Sequence, residues 1–137
     1  MNLKRLKESI KKEEGYKSHV YQCSMGYDTI GYGTTIKDME LDESLADILL
    51  EREITRKMIQ AYNRFSWLCK QPAAIQEVVI DVCYNIGVTG FSKFVKTIEF
   101  IKQGEYIMAG DELLDSRYAR QVPNRAKRNS LKLKGVK

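Results

Sequence analysis

A carboxylate, a thiol and a hydroxyl near the N-terminus are the residues from which chemistry could be built. Glu14 is followed after eight residues by Cys23, and Cys23 after five residues by Thr29. Glu14 closes a basic amphipathic segment in which Leu3, Leu6 and Ile10 share one helical face, and Gly15 is suited to ending that helix. A carboxylate at the negative pole of a helix dipole is disfavoured by roughly 0.3–1 kcal/mol. Such a site suits a proton donor better than a structural charge, although a Glu at a helix end, taken alone, is ordinarily a solvated surface group. Strand alternation over Tyr27–Tyr32 puts Thr29 on one face with Gly31, where a ligand can come close to the backbone, and the plain alternative is that Thr is a good strand residue. Further along, the amide of Asn85 can both donate and accept, and Arg117, Tyr118 and Arg125 offer cationic and aromatic contacts. Without further context each reads as a surface or helix-end residue.

Positioning these groups requires two kinds of structure. Residues 16–35 are rich in Tyr, Val, Ile and Thr and punctuated by Gly26, Gly31 and Gly33, which predicts short strands folding back on each other. From Asp42, a candidate N-cap, to about Phe65 there is neither Gly nor Pro, and Ala46, Leu49, Leu50, Ile54, Met58, Ala61 and Phe65 recur at helical spacing. One long helix is expected there. Trp67–Pro72 reads as a connector, and Ile75, Val78, Val79, Val82, Cys83 and Ile86 then mark the central buried helix, with Cys83 in its core. Phe91, Phe94, Val95, Ile98 and Ile101 give a further apolar stripe, stopped by Gly104. A helix is predicted around Tyr106–Leu114 and a last one from near Pro123, whose Arg125, Lys127, Arg128, Lys132, Lys134 and Lys137 read as a solvated basic face.

Composition bounds the function. At 137 residues the chain fits one domain able to bury ~68% of its unfolded surface without disulfides or metal. Cys23, Cys69 and Cys83 are an odd number with no CxxC pair, and His19 is the single histidine, so neither a disulfide framework nor a zinc site is expected. No cofactor is called for. Apolar runs fall short of a membrane span, and no apolar core of an export signal follows the basic start. A net charge of +5 predicts attraction to polyanions without choosing among them; nucleic acid is the less favoured partner.

Three blocks together point to a family. Glu14, Cys23 and Thr29 with Ile30-Gly31-Tyr32-Gly33, then Tyr84-Asn85-Ile86-Gly87-Val88-Thr89-Gly90-Phe91, then Ser116-Arg117-Tyr118 leading into Pro123-Asn124-Arg125-Ala126-Lys127-Arg128, stand in one order across residues 14–128. This pattern resembles the phage-type lysozymes, or endolysins, of glycoside hydrolase family 24. The resemblance implies an α+β, lysozyme-like fold in a single domain over 1–137. A β-rich lobe at about 14–40 would be joined by a helix at about 42–65 to a helical lobe at about 67–137, the N-terminal helix 2–13 belonging to the latter, with an active-site cleft between the lobes. It implies a muramidase cleaving the β-1,4 bond between N-acetylmuramic acid and N-acetylglucosamine of bacterial peptidoglycan, with inversion.

In that scheme Glu14 is the general acid, Cys23 helps place or activate water and Thr29 holds it. Asn85, Arg117 and Tyr118 line the substrate cleft, and Arg125 pairs with the acid. Cys23 stands where Asp is commoner, and Thr34 where the family carries a His, so the mechanism in detail departs from the family pattern. A lytic transglycosylase, or a peptidoglycan-binding module without catalysis, are the alternatives. The resemblance further implies phage or prophage origin, synthesis in the host cytoplasm without a signal peptide, action on the cell wall reached through a separate holin-like protein, no stable membrane insertion, and a monomer.

Overall fold

A computed structural model describes all residues from Met1 to Lys137. It is an α+β structure, mostly helical, with one small antiparallel sheet. Contacts group the chain into two compact units, Met1–Ala46 and Asp47–Lys137.

The first unit opens with α1 (Leu3–Glu14). Asn2 caps it by accepting the Arg5 N–H at 3.0 Å, and Gly15 ends it at φ +69°, returning its N–H to the Lys11 carbonyl. Leu3, Leu6 and Ile10 remain exposed. Three strands follow, β1 (Lys17–Gln22), β2 (Asp28–Gly31) and β3 (Thr34–Thr35), ordered β1-β2-β3. Lys17 pairs with Gly31 at one end of the first hairpin and Gln22 with Asp28 at the other, and Thr29 and Ile30 pair with Thr35 and Thr34. The contacts group α1 with these strands; Lys11 lies 5.3 Å over the Tyr32 ring and thereby ties α1 to the β2–β3 turn.

Asp42 starts α2 (Glu43–Arg64) as the sequence predicts, accepting from the Leu45 N–H at 2.9 Å and the Ser44 hydroxyl at 2.7 Å. Twenty-two residues make a rod of ~33 Å.

In the second unit the core forms around α3 (Ala73–Ile86), where Ile75, Val78, Val79, Val82 and Cys83 are buried at the expected spacing. Burial pushes the Cys83 thiol up to about 12, which makes it an inert core residue. The apolar stripe before Gly104 is carried by two helices, α4 (Val88–Ser92) and α5 (Val95–Lys102). The break at Lys93–Phe94 turns Phe91 into the core, where it meets Phe65 edge-on at 5.6 Å, and leaves Val95 exposed. Three more helices complete the unit: α6 (Tyr106–Leu114), α7 (Arg117–Gln121) and α8 (Pro123–Lys134), the last with Pro123 in its first turn. Gly110 lets α6 and α8 approach closely: a Cβ there would lie 3.0 Å from the Ser130 carbonyl, and the Ser130 hydroxyl donates to the Gly110 carbonyl at 2.9 Å.

Candidate active site

Glu14 is the last residue of α1, exposed, with its carboxylate laid against the backbone of Gly33. This contact lies toward the end of the sheet where Lys17 pairs with Gly31. Cys23 follows the opposite end of β1, in the turn closed by the Cys23 N–H donating to the Tyr27 carbonyl at 3.0 Å and the Gly26 N–H to the Cys23 carbonyl at 2.8 Å. The thiol is half-buried. Hydrogen bonding by the backbone of Met25, then of Tyr27, holds it below its ordinary value, with a lesser contribution from the Thr29 side chain and some opposition from desolvation. Cys23 and Thr29 are thus brought together, and the turn makes the thiol more acidic than an ordinary cysteine.

Thr29 sits deeper than its strand face suggested. It is 1% exposed, and its hydroxyl lies 2.9 Å from the Tyr27 carbonyl, to which it can donate, while its lone pairs can accept. Strand alternation correctly separates it from Asp28 and Ile30 but cannot say which face the surrounding turns will cover.

The other sequence-selected residues belong to the second unit. Asn85 and Arg117 are exposed, near the end of α3 and at the start of α7. Tyr118 is 2% exposed, packed against Phe94 with ring centroids 6.3 Å apart, and its hydroxyl accepts from Asn129 at 3.1 Å. Burial pushes the phenol up. The ring fills the core because α7 turns its apolar side inward, and of the pair expected to line the cleft only Arg117 faces solvent.

Arg125, which the family pattern casts as partner of the acid, donates through Nε at 2.9 Å and Nη2 at 2.8 Å to the two carboxylate oxygens of Asp81. Asn129 adds a bond to the same carboxylate at 2.7 Å. Desolvation works against the Asp81 charge, but the bonds from Arg125 and Asn129 and the charges of Arg125 and Lys132 outweigh it, holding the carboxyl below its usual range. Asp81 and Asn129 escaped the sequence reading. One signal was present: Asp81 is a carboxylate set directly between Ile80 and Val82 in the apolar run of α3. Its partners, 44 and 48 residues away, carry no local mark. Beside this ion pair lies a groove of about 520 Å³ with Leu50, Ile54, Met58 and Ile80 in its apolar walls and Arg125 and Lys132 on its polar side.

Comparison with known proteins agrees with the architecture and the motif order. A probable T4-type lysozyme of Dictyostelium discoideum is 24% identical over 152 aligned residues, covering 90% of this chain and 89% of that protein. The family model described as phage lysozyme matches residues 11–132, a span that takes in Glu14, Cys23 and Thr29 as well as Asn85, Arg117 and Arg125. With this match running over most of its length, and with a small antiparallel sheet followed by a mainly helical unit, the chain belongs to the phage lysozyme family and has the α+β, lysozyme-like fold.

Proposed function

We propose that this protein is a muramidase that hydrolyses the β-1,4 bond between N-acetylmuramic acid and N-acetylglucosamine in bacterial peptidoglycan. Family membership supports lysozyme activity in general terms. The observation that carries the finer reading is the exposed carboxylate of Glu14 in the same unit as the hydrogen-bonded Cys23 and Thr29.

Glu14 donates its proton to the glycosidic oxygen as the C1–O bond breaks, and positive charge spreads over C1 and the ring oxygen. Water attacks C1 from the opposite face, which inverts the anomeric centre. Its proton passes to the Cys23 thiolate, while a lone pair of the Thr29 hydroxyl accepts a hydrogen bond that orients the water. Asn85 and Arg117 contact the glycan. The wider reading follows the family: an endolysin of phage or prophage origin, made in the host cytoplasm, monomeric, needing no cofactor, and reaching the wall through a holin-like protein to lyse the cell.

Incubation with purified peptidoglycan tests this directly. Wild-type protein releases fragments ending in reducing muramic acid, and Glu14→Gln, folded to the same Tm, releases none. Fragments with 1,6-anhydro ends would instead identify a transglycosylase, the reading kept open by a thiol where a carboxylate is commoner. Saturable binding without release would identify a glycan-binding module.

A further inference from the structure

The carboxylate of Glu14 occupies space that exists only because residue 33 has no side chain. A Cβ at Gly33 would lie 2.7 Å from Glu14 Oε2 and 2.9 Å from Cδ, closer than real Cβ atoms come to any neighbour, and 3.4 Å from Cγ. Gly33 also sits at φ +79°, in the turn between β2 and β3. Two contacts brace that turn against the end of α1. Tyr32 packs on Tyr16 with ring centroids 5.6 Å apart, and Lys11 lies over the Tyr32 ring from the helix side. Glu14 is therefore set between a helix end that fixes its Cα and a turn that gives its carboxylate a flat backbone wall.

We infer that Gly33 is a positioning residue for the catalytic acid: its bare Cα is the seat on which the Glu14 carboxylate rests, and any side chain there displaces the proton donor. The inference rests on Glu14 being the acid and adds a reason for the glycine that follows Tyr32. Because the atoms in conflict are the far end of a flexible side chain, a Cβ at 33 moves the carboxylate rather than unfolding the protein. The effect should appear in kcat, since displacement of a reacting group by about 1 Å can cost on the order of 100-fold in rate.

The test compares three variants on purified peptidoglycan. Gly33→Ala introduces both the Cβ and the strain of a positive φ. Gly33→Asn keeps the Cβ with less strain, because Asn tolerates this region. Gly104→Ala carries the strain alone, at φ +75° with nothing within 4 Å, in the connection between α5 and α6. The expected result is a loss in kcat on the order of 10–100-fold for both Gly33 variants, KM within about twofold of wild type, and unchanged kcat for Gly104→Ala despite a comparable fall in Tm. Full kcat in Gly33→Asn, or an equal loss in Gly104→Ala, would overturn the inference. A crystal structure of Gly33→Ala reads the seat independently of activity. A carboxylate shifted away from residue 33 together with the loss in kcat supports it; an unshifted carboxylate refutes the seat, and an active Glu14→Gln with a shifted carboxylate refutes its catalytic role while leaving the steric contact intact.

Discussion

Cys23 is the residue at which this chain departs from the commoner acidic pattern of its family, and its surroundings say how it can compensate. Bonds from the turn hold the thiol below its ordinary value of 9.0, so the thiolate gains population as pH rises through a pKa lower than that. If the thiolate takes the proton of the attacking water, kcat rises with pH along a limb centred below the ordinary thiol value. Cys23→Asp should keep activity and move that limb into the carboxylate range near about 4. Cys23→Ser should remove the limb and lower kcat by about 10²–10⁴-fold. Rate profiles on labelled peptidoglycan decide it, and an unaltered profile in the serine variant would reduce Cys23 to a spacer.

Two elements of the second unit, α3 and α8, are joined by a polar contact that also fixes Arg125. Asp81→Asn replaces a charged acceptor of three side-chain bonds with a neutral one and should destabilise the protein by about 1–2 kcal/mol at neutral pH, at the lower end for a half-exposed pair. The sign with pH follows from the depressed carboxyl. Its contribution is fully present above the unfolded-state value, about 3.9, and is lost as pH falls through the lower folded-state value. Urea denaturation at pH 7 and at pH 2–3 should therefore show the variant's deficit shrinking in acid; a constant deficit would place the effect in packing. The crossing of α6 and α8 makes a second demand at Gly110, where Ala would press on the Ser130 carbonyl and the Lys134 stem. Gly110→Ala should cost about 1–3 kcal/mol in the same denaturation assay, despite the better helix propensity of Ala.

For the whole molecule the relevant quantity is charge. With a net charge of +5, initial attachment to an anionic cell wall should weaken as salt screens it. The amount of protein sedimenting with purified walls should fall between 50 and 200 mM salt, over which the screening length shrinks from roughly 14 Å to 7 Å. Salt-independent sedimentation would show that specific glycan contacts dominate attachment.

The sequence by itself determined what depends on neighbours along the chain. Gly15 ends α1, Asp42 caps α2, Pro123 opens α8, and the apolar period from Ile75 to Cys83 marks the buried helix, because caps, fixed dihedrals and helical periodicity act over a few residues. The spacing from Glu14 through Cys23 to Thr29, with the two later blocks, likewise identified the family. Tertiary structure alone decided the burial of Thr29 and Tyr118, the division of α4 from α5, the hold of Asp81 and Asn129 on Arg125, and the rest of Glu14 against Gly33. Those outcomes depend on which faces are covered and which distant groups come within bonding reach, and a charge or a glycine looks the same along the chain whether or not its partner, tens of residues away, arrives.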